Sequence, residues 1–384
     1  MMLGLLLARA GVDVHVLEKH ADFLRDFRGD TVHPSTLEVL RELGILEEFL
    51  RRPHRVIRGV VGIFAGKPVR LSDFTHLPVA APYIVMVPQW HFLDFLAEQA
   101  RRYPTFHLRR ETEVRDLLVE PGRVVGVRAR SPAGPVEFRA DLTVGADGRG
   151  SVVRERAGLA VREYGSPIDV LWMRLSRRPG DGEQLLGHFG RHHVFVTFDR
   201  GDYWQCAYVI PKGGFDALRR SDLDVLRRRI ASLAPFLADR VDELRSWDDV
   251  KLLVVKIDRL RKWCRPGLLC IGDAAHAMSP IGGVGINLAI QDAVAAANLL
   301  APALRRGAPT LDELRRVQRR RELPTRLTQR AQVHIQNRFG RRAGGEEPTR
   351  VPAFARVLDA SPRLRRIPGR LVGLGLRPEH VARS

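Results

Sequence analysis

The chain has 384 residues, of which 45% are hydrophobic and 28% charged, and this composition excludes collagen-like, mostly disordered and small disulfide-linked proteins. Its length predicts two to three domains. The formal charge of +19 invites a nucleic-acid partner, but 57 of the 63 basic residues are arginine, and residues 301–384 carry +13 of the surplus. Because these arginines alternate with Leu, Val and Ile at helical spacing, we interpret them as solvated helix faces and expect no nucleic-acid partner.

Cysteine usage and hydropathy indicate the compartment. The three cysteines, Cys206, Cys264 and Cys270, form no C-x-x-C pair and no metal-type spacing with histidine, which favours a reducing cytoplasm and no metal site. No apolar run reaches the ~20 residues of a membrane helix. The first residues lack a basic leader and a cleavage site, so we expect neither a signal peptide nor an integral membrane segment.

The first 19 residues have the pattern of half a Rossmann unit. Residues 1–9 predict a helix that begins without a capping residue, Ala10-Gly11 predicts its end, and the alternation at 12–16 predicts a strand. Glu18 and Lys19 follow that strand. In a βαβ unit, an acid at this position accepts hydrogen bonds from an adenosine ribose. The strand and G-x-G-x-x-G turn of such a unit would stand directly before Met1.

Two further helices and a set of strands follow. Ser35 and Glu38 have the S-x-x-E spacing of a capping box and predict a helix start, while Arg28 before it reads by itself as solvated. Gln89 begins a third helix. Residues 106–144 alternate like several strands, and the last of these leads to Asp147-Gly148 before a helix near Ser151.

The segment 161–263 predicts a second domain, built as an antiparallel sheet with a helix over 221–237. His192 and His193 are adjacent in a strand and face opposite ways, so at most one could enter a pocket, and we assign no catalytic residue. Some aromatic residues of this segment are equally suited to line a substrate pocket or to fill a core: Trp172, Phe195, Phe198, Trp204 and Tyr208.

Residues 268–287 carry the strongest local pattern. A buried strand ends at Gly272-Asp273, a loop with three glycines follows, and a small-residue helix starts near Ile286. Glycines let backbone N–H groups approach a ligand closely, and a helix N-terminus favours negative charge beside it. After residue 300 the pattern predicts helices over 311–321 and 324–339 and a basic tail.

In order along the chain, these motifs resemble the flavin-dependent aromatic monooxygenases of the para-hydroxybenzoate hydroxylase class. The resemblance implies an α/β fold, in which a Rossmann-like FAD-binding domain, lacking its first strand, is combined with an inserted antiparallel-sheet substrate domain and C-terminal helices. Its FAD-binding part would comprise residues 1–66, 89–160 and 264–300. The substrate domain would comprise 67–88 and 161–263, and the helical region 301–384.

The resemblance also implies roles for individual residues. Glu18 would bind the ribose of FAD, Arg28 the flavin, Gln89 the ribityl and phosphate region, and the backbone of Val114 the adenine. Asp147-Gly148 would serve both FAD and the nicotinamide cofactor, and Asp273 the flavin ribityl or ribose. The implied cofactor-binding set is Glu18, Lys19, Arg28, Gln89, Val114, Asp147, Gly148, Gly272, Asp273, Pro280, Gly283, Gly285, Ile286 and Asn287.

The implied reaction needs no protein nucleophile. FAD would be reduced by NADPH or NADH and react with O2 to a C4a-hydroperoxide, which hydroxylates an aromatic or polyketide-like molecule. Without the G-x-G-x-x-G turn we expect weak FAD retention and an unfilled position in the sheet. Two alternatives stay open: an epoxidase, dehydrogenase or reductase of the same fold, and a non-catalytic relative. The class also leaves a homodimer open.

Overall fold

The computed structural model describes residues 1–24, 31–181, 186–189, 194–341 and 351–382. Apolar residues at helical spacing and short β-branched runs alternate along the chain, as expected of an α/β protein. Within the described part the helices are α1 (Met2–Arg9), α2 (Pro34–Glu42), α3 (Leu46–Leu50), α4 (Gln89–Ala100), α5 (Val152–Arg156), α6 (Phe215–Arg220), α7 (Leu223–Leu233), α8 (Gly285–Leu304), α9 (Leu311–Arg341), α10 (Ala353–Ala360) and α11 (Pro362–Gly373).

The strands are short and fall into several sheets. They are β1 (Val14–Leu17), β2 (Thr31–Val32), β3 (Arg55–Ile57), β4 (Gly59–Phe64), β5 (Lys67–Asp73), β6 (Ile84–Met86), β7 (Phe106–Arg109), β8 (Glu113–Glu120), β9 (Arg123–Ser131), β10 (Gly134–Arg139), β11 (Thr143–Gly145), β12 (Val161–Glu163), β13 (Ile168–Ser176), β14 (Leu186–Phe189), β15 (Val194–Asp199), β16 (Tyr203–Pro211), β17 (Lys251–Leu253), β18 (Asp258–Leu260), β19 (Cys264–Arg265) and β20 (Leu268–Cys270).

Parallel strands form the framework of the first domain. β1 pairs with β7, and β11 pairs with β20, which also holds β19 in antiparallel orientation. These two sheets are separate, and residues of β1 and β11 line the same cavity. The helices α1, α4 and α8 share one hydrophobic core with them. The carboxyl ends of parallel strands, where ligands of such folds bind, therefore open onto one cavity.

The second domain is a seven-stranded sheet in the order β17-β13-β16-β15-β14-β4-β5. It is antiparallel except for the pair β14–β4. One face packs on α7 through Leu226 and Ile230, both fully buried. In chain order, the first strand of this sheet is β4. The resemblance had implied that residues up to 66 belong to the FAD-binding part.

Two local expectations were wrong. Glu38 does not cap α2, because its side chain accepts from Arg41 Nε at 2.8 Å, and the helix begins at Pro34, one residue before Ser35. A proline in the first turn fixes φ and starts a helix without a side-chain cap. The two helices expected on either side of Pro324 are one helix, α9, in which Thr325 Oγ1 donates to the Arg321 carbonyl at 2.8 Å across the site of the proline.

Helix α8 is the central buried element of the first domain. Among the described helices, the stretch Ile281–Leu304 alone is long and apolar enough to cross a membrane, but 67% of its apolar 18-residue window is buried within the fold. It packs against α1 and α9. Its apolarity is therefore explained by its place in the core.

Candidate functional site

A cavity of about 2160 Å³ lies between the two domains. Its walls are the carboxyl ends of β1 and β11, the N-terminal end of α8 and one face of the seven-stranded sheet. Nearly all of the sequence-predicted cofactor residues line it. They are Glu18, Lys19, Gln89, Val114, Asp147, Gly148, Gly272, Asp273, Pro280, Gly283, Gly285 and Ile286.

The other two predicted residues are Arg28 and Asn287. Arg28 lies outside the described residues, as do His192 and His193. Asn287 is 5% exposed and lies behind the glycine loop. Its Oδ1 accepts from the backbone N–H of His33 at 2.9 Å and from Thr36 Oγ1 at 2.8 Å, and its Nδ2 donates to the carbonyls of Thr31 and Gly283 at 3.2 Å each. Asn287 thus fastens the loop to β2 and α2.

Glu18 is held at the carboxyl end of β1. Its backbone N–H donates to the Arg109 carbonyl at 2.8 Å, which continues the pairing with β7. Its Oε1 accepts from the backbone N–H of His20 at 3.0 Å. The carboxylate is therefore fixed at the cavity edge, where a ribose-binding acid stands in a Rossmann unit.

Asp147 follows β11 at the matching edge of the second parallel sheet. Its Oδ1 accepts from Ser151 Oγ at 2.5 Å and its Oδ2 from the backbone N–H of Val153 at 3.1 Å, so it supports the start of α5. Ser151 itself caps this helix, which the sequence predicted to start near this residue. Gly148 has φ of 84°, a conformation that favours glycine.

The Gly272-Asp273 turn follows β20 and touches α8. Gly272 has φ of 57°, and a Cβ there would lie 2.9 Å from that of Ala289, so the turn and the helix are in close contact. Asp273 is partly exposed on the cavity wall and lies 3.8 Å from Arg149 Nη2. A carboxylate is thereby presented to the cavity from a tightly packed backbone.

A buried charge network lies behind this turn. Asp292 of α8 accepts from the backbone N–H of Gly272 at 3.1 Å, lies 2.5 Å from His276 Nε2, and accepts from Arg321 Nε at 3.1 Å. Arg321 continues to Glu379 at 3.2 Å. Burial opposes ionisation of Asp292, but His276 and Arg321 outweigh it and hold the pKa of that carboxyl below its usual value. The network connects the turn to α9 and the C-terminal segment.

The glycine loop presents backbone N–H groups to the cavity. Gly282 and Gly283 have φ of 79° and 63°, and α8 then begins at Gly285 without a side-chain cap. The first N–H groups of a helix have no acceptor within the helix, and they carry partial positive charge. A Cβ added at Gly285 would meet no atom within 4 Å, so the cavity reaches the backbone here.

The seven-stranded sheet separates the candidate aromatic residues by face. Trp172 and Phe198 line the cavity, with ring centroids 5.8 Å apart. Phe195, Trp204 and Tyr208 were wrong as lining candidates, because they point to the opposite face and belong to the core under α7. The alternation of side chains along β13, β15 and β16 determines which aromatic residues face the cavity, since residues two positions apart in a strand point to the same face.

Sequence reasoning missed a polar pair on the cavity side of this sheet. Arg200 donates from Nε and Nη2 to Gln205 Oε1 at 2.8 and 2.6 Å, and both residues line the cavity. The surrounding wall is apolar and includes Val170, Val196 and Ala207. One guanidinium in an apolar wall provides hydrogen bonds that would orient a ligand.

His33 is a buried histidine beside the glycine loop. Its Nδ1 lies 2.8 Å from the Val372 carbonyl, while Nε2 is buried and has no partner among the described residues. Nε2 is near the position that a Cβ on Gly283 would take, at 3.5 Å. Because Nδ1 must donate to the carbonyl, Nε2 carries the free lone pair.

This burial predicts an acid-sensitive fold. Burial lowers the pKa of His33 to about 4, and it lowers the pKa of His188 in β14 to about 4 as well. The unfolded chain binds these protons below pH 6.5 and the folded protein does not, so the stability is complete above pH 6.5 and is lost as the pH falls toward 4. We expect the free energy of unfolding to fall by on the order of 3 kcal/mol for each histidine over that range.

Urea denaturation at stepped pH measures this effect. His33→Asn keeps a donor for the Val372 carbonyl but cannot take up a proton, so its stability should decline less steeply between pH 6.5 and 4.5. This pH range lies above the usual pKa of carboxyl groups, so the slope reports mainly on histidines. If the free energy of unfolding of His33→Asn declined as steeply with falling pH as that of the wild type, His33 would not be the titrating group.

Comparison with known proteins places this geometry among flavoproteins. A family model described as "FAD binding domain" matches residues 1–331. The chain is 36% identical over 368 residues to 6-methylpretetramide 4-monooxygenase of Streptomyces rimosus, covering 93% of this chain and 88% of that protein. It is 28% identical over 324 residues to dialkyldecalin synthase of Streptomyces rugosporus, covering 80% and 64%. The structure of PqsL from Pseudomonas aeruginosa superposes with a TM-score of 0.74 at 25% identity, covering 90% of this chain and 95% of that one.

Proposed function

Since this chain belongs to the FAD-binding family and is an FAD-dependent monooxygenase, we propose that it hydroxylates a polycyclic aromatic polyketide with electrons from NADH or NADPH and oxygen from O2. The relative with 36% identity over nearly the whole chain is named for such a substrate. One observation carries the proposal. A glycine loop at a helix N-terminus and an apolar sheet face line the same cavity.

The residues present fit FAD. Gly285 leaves open space at the start of α8, and the buried Nε2 of His33 beside the loop offers an acceptor with no partner among the described residues. Two carboxylates, Glu18 and Asp273, stand on the wall at strand ends, where sugar hydroxyls of a dinucleotide are bound in this class of fold. The donor and acceptor sets thus correspond to an extended cofactor with a polar chain and a flat polar ring.

When bound, FAD would carry electrons from the nicotinamide and activate O2 for transfer to the substrate. The chain's own contribution is to bind, orient and exclude water. The N–H groups at Gly285 and Ile286 would stabilise negative charge on the reduced ring, helped by the dipole of the 20-residue helix α8. Asn287 would keep these groups in position through its four hydrogen bonds to β2, α2 and the loop.

The sheet face would bind the substrate. Trp172 and Phe198 provide aromatic surface, and Val170, Val196 and Val209 make the remaining wall apolar. Flat aromatic molecules bury well against such a surface, and water is excluded from it. Arg200, held by Gln205, would take a phenolate, enolate or carbonyl oxygen at the edge of the ring system.

Replacing this arginine tests the orientation role. Arg200→Met should raise KM about tenfold or more, because the loss of a charge-assisted hydrogen bond costs on the order of 1.5–3 kcal/mol. The affinity for FAD should stay unchanged. Arg174→Met is the matched control, since Arg174 is exposed on the same sheet and packs on Tyr203. Equal KM values for both variants would contradict the assignment.

Labelled oxygen tests the reaction. The protein, FAD, NADH or NADPH and a set of polycyclic phenols are incubated under ¹⁸O2, and the products are analysed by mass spectrometry. The proposal predicts one ¹⁸O atom per hydroxylated product. A product that forms without ¹⁸O, or that requires no O2, would support a dehydrogenase or reductase of the same fold. Incorporation of ¹⁸O as a ring epoxide would support an epoxidase.

The synthase among the relatives makes this test necessary, because a protein that is 28% identical over 324 residues carries a name from a different class of chemistry. Consumption of NADH or NADPH in the absence of substrate, followed by absorbance, distinguishes a competent flavoenzyme from a non-catalytic relative. We expect slow consumption that accelerates when substrate is added. No consumption with any substrate, in a protein that binds FAD, would favour the non-catalytic alternative.

A further inference from the structure

Three metal-ligating side chains meet on one face of the β1–β7 sheet. The parallel register pairs His15 of β1 directly with His107 of β7. Asp13 stands two residues before His15, and residues two apart in an extended segment share a face. Sequence inspection found no metal-type spacing because His107 is distant in the chain and only the strand pairing brings it to the other two.

The distances between the donor atoms are short. Asp13 Oδ1 lies 3.0 Å from His107 Nε2, and Asp13 Oδ2 lies 3.8 Å from His15 Nε2. The three donor atoms all lie within 4.8 Å of one another. Ligands bound tetrahedrally at about 2.0–2.2 Å are themselves about 3.3–3.6 Å apart. Small side-chain rotations would therefore bring all three to a common ion without moving the backbone.

The cluster is open enough for an ion to enter, and one of its sides is shielded from water. The side chains are accessible, with 67% of Asp13, 38% of His15 and 39% of His107 exposed. The ring of Phe138 lies 5.9 Å from that of His15 and covers one side. The two imidazoles stack at 4.7 Å with an angle of 30°, so the pairing of the strands already orders them.

We propose that Asp13, His15 and His107 bind a divalent transition metal ion, with Zn²⁺ as the expected ion and water in the remaining position. Two imidazole nitrogens and one carboxylate suit Zn²⁺, Ni²⁺ or Cu²⁺, whereas Mg²⁺ and Ca²⁺ prefer oxygen donors. The ion would link β1 to β7, whose pairing spans four residues. It would thus stabilise the strand that carries Glu18 at its end.

Zinc titration of EDTA-treated protein by calorimetry tests the proposal. The wild type should bind one equivalent of Zn²⁺, and each of His15→Gln, His107→Gln and Asp13→Asn should weaken binding about tenfold or more. His334→Gln, an exposed histidine on α9, is the control and should bind as the wild type does. Mg²⁺ at the same concentrations should produce no heat of binding.

A second measurement does not depend on calorimetry. Zn²⁺ that binds only the folded protein raises its unfolding midpoint, and this increase should be present in the wild type and in His334→Gln but absent in His107→Gln. Co²⁺ should give visible d–d absorption with the wild type. Binding that is absent in the wild type, or equal in all variants, would overturn the proposal and leave a hydrogen-bonded cluster only.

Discussion

Replacing Asp292 with alanine is expected to lower the free energy of unfolding by about 3–5 kcal/mol, since it removes the carboxylate that pairs with both His276 and Arg321 in a buried network and leaves Arg321 paired with Glu379. Arg321 is 1% exposed, and His276 is also 1% exposed. Neither can turn to water when the carboxylate is lost. The N–H of Gly272 loses its acceptor as well, so the Gly272-Asp273 turn should also loosen.

Urea denaturation followed by circular dichroism measures this loss. Glu120→Ala is the matched control, because the Glu120–Arg139 pair has 53% and 67% of its side chains exposed, and surface pairs contribute about 0–1 kcal/mol. If Asp292→Ala proved no more harmful than the control, the network would not be what joins α8, α9 and the C-terminal segment.

The second large effect concerns two glycines of the same loop, which should respond in opposite ways. Gly283→Ala should destabilise the fold by about 1–3 kcal/mol, because its φ of 63° is strained for alanine and the new Cβ would lie 2.4 Å from Thr31 Oγ1. Gly285→Ala should stabilise the fold by up to about 1 kcal/mol, since alanine is the better helix former and nothing lies within 4 Å of the new Cβ.

Affinity for FAD separates the two roles. A methyl group at Gly285 would occupy space that the cofactor needs to approach the helix N-terminus, so we expect the dissociation constant to rise about tenfold or more. The combination of a more stable fold and a weaker FAD complex is specific to a glycine that faces a ligand. Unchanged affinity in Gly285→Ala would indicate that the ring lies elsewhere in the cavity.

The sequence predicted those parts of the site that depend on local chemistry. Gly272-Asp273 after a buried strand, and the glycine loop before α8, are contiguous patterns whose backbone requirements are visible in the residues themselves. The structure brings both to one cavity wall. The helix start expected near Ser151 is α5, and the structure shows that the Ser151 side chain caps it.

Features that depend on tertiary contacts could not be predicted in this way. The capping box expected at Ser35 is absent, since α2 begins at Pro34 without a side-chain cap and Glu38 accepts from Arg41 instead. The face to which Trp204 or Phe198 points depends on the register of β15 and β16. A shift of this register by one residue would move a side chain from the cavity face to the core face. The partners of Asp292 and the cluster around His107 come from distant segments that only the fold brings together.

Titration of the purified protein with FAD tests the central claim most directly. The account predicts saturable binding of one FAD per chain, with flavin absorption bands at about 370 and 450 nm that shift on binding. A folded protein that shows no saturable binding at any FAD concentration would contradict it.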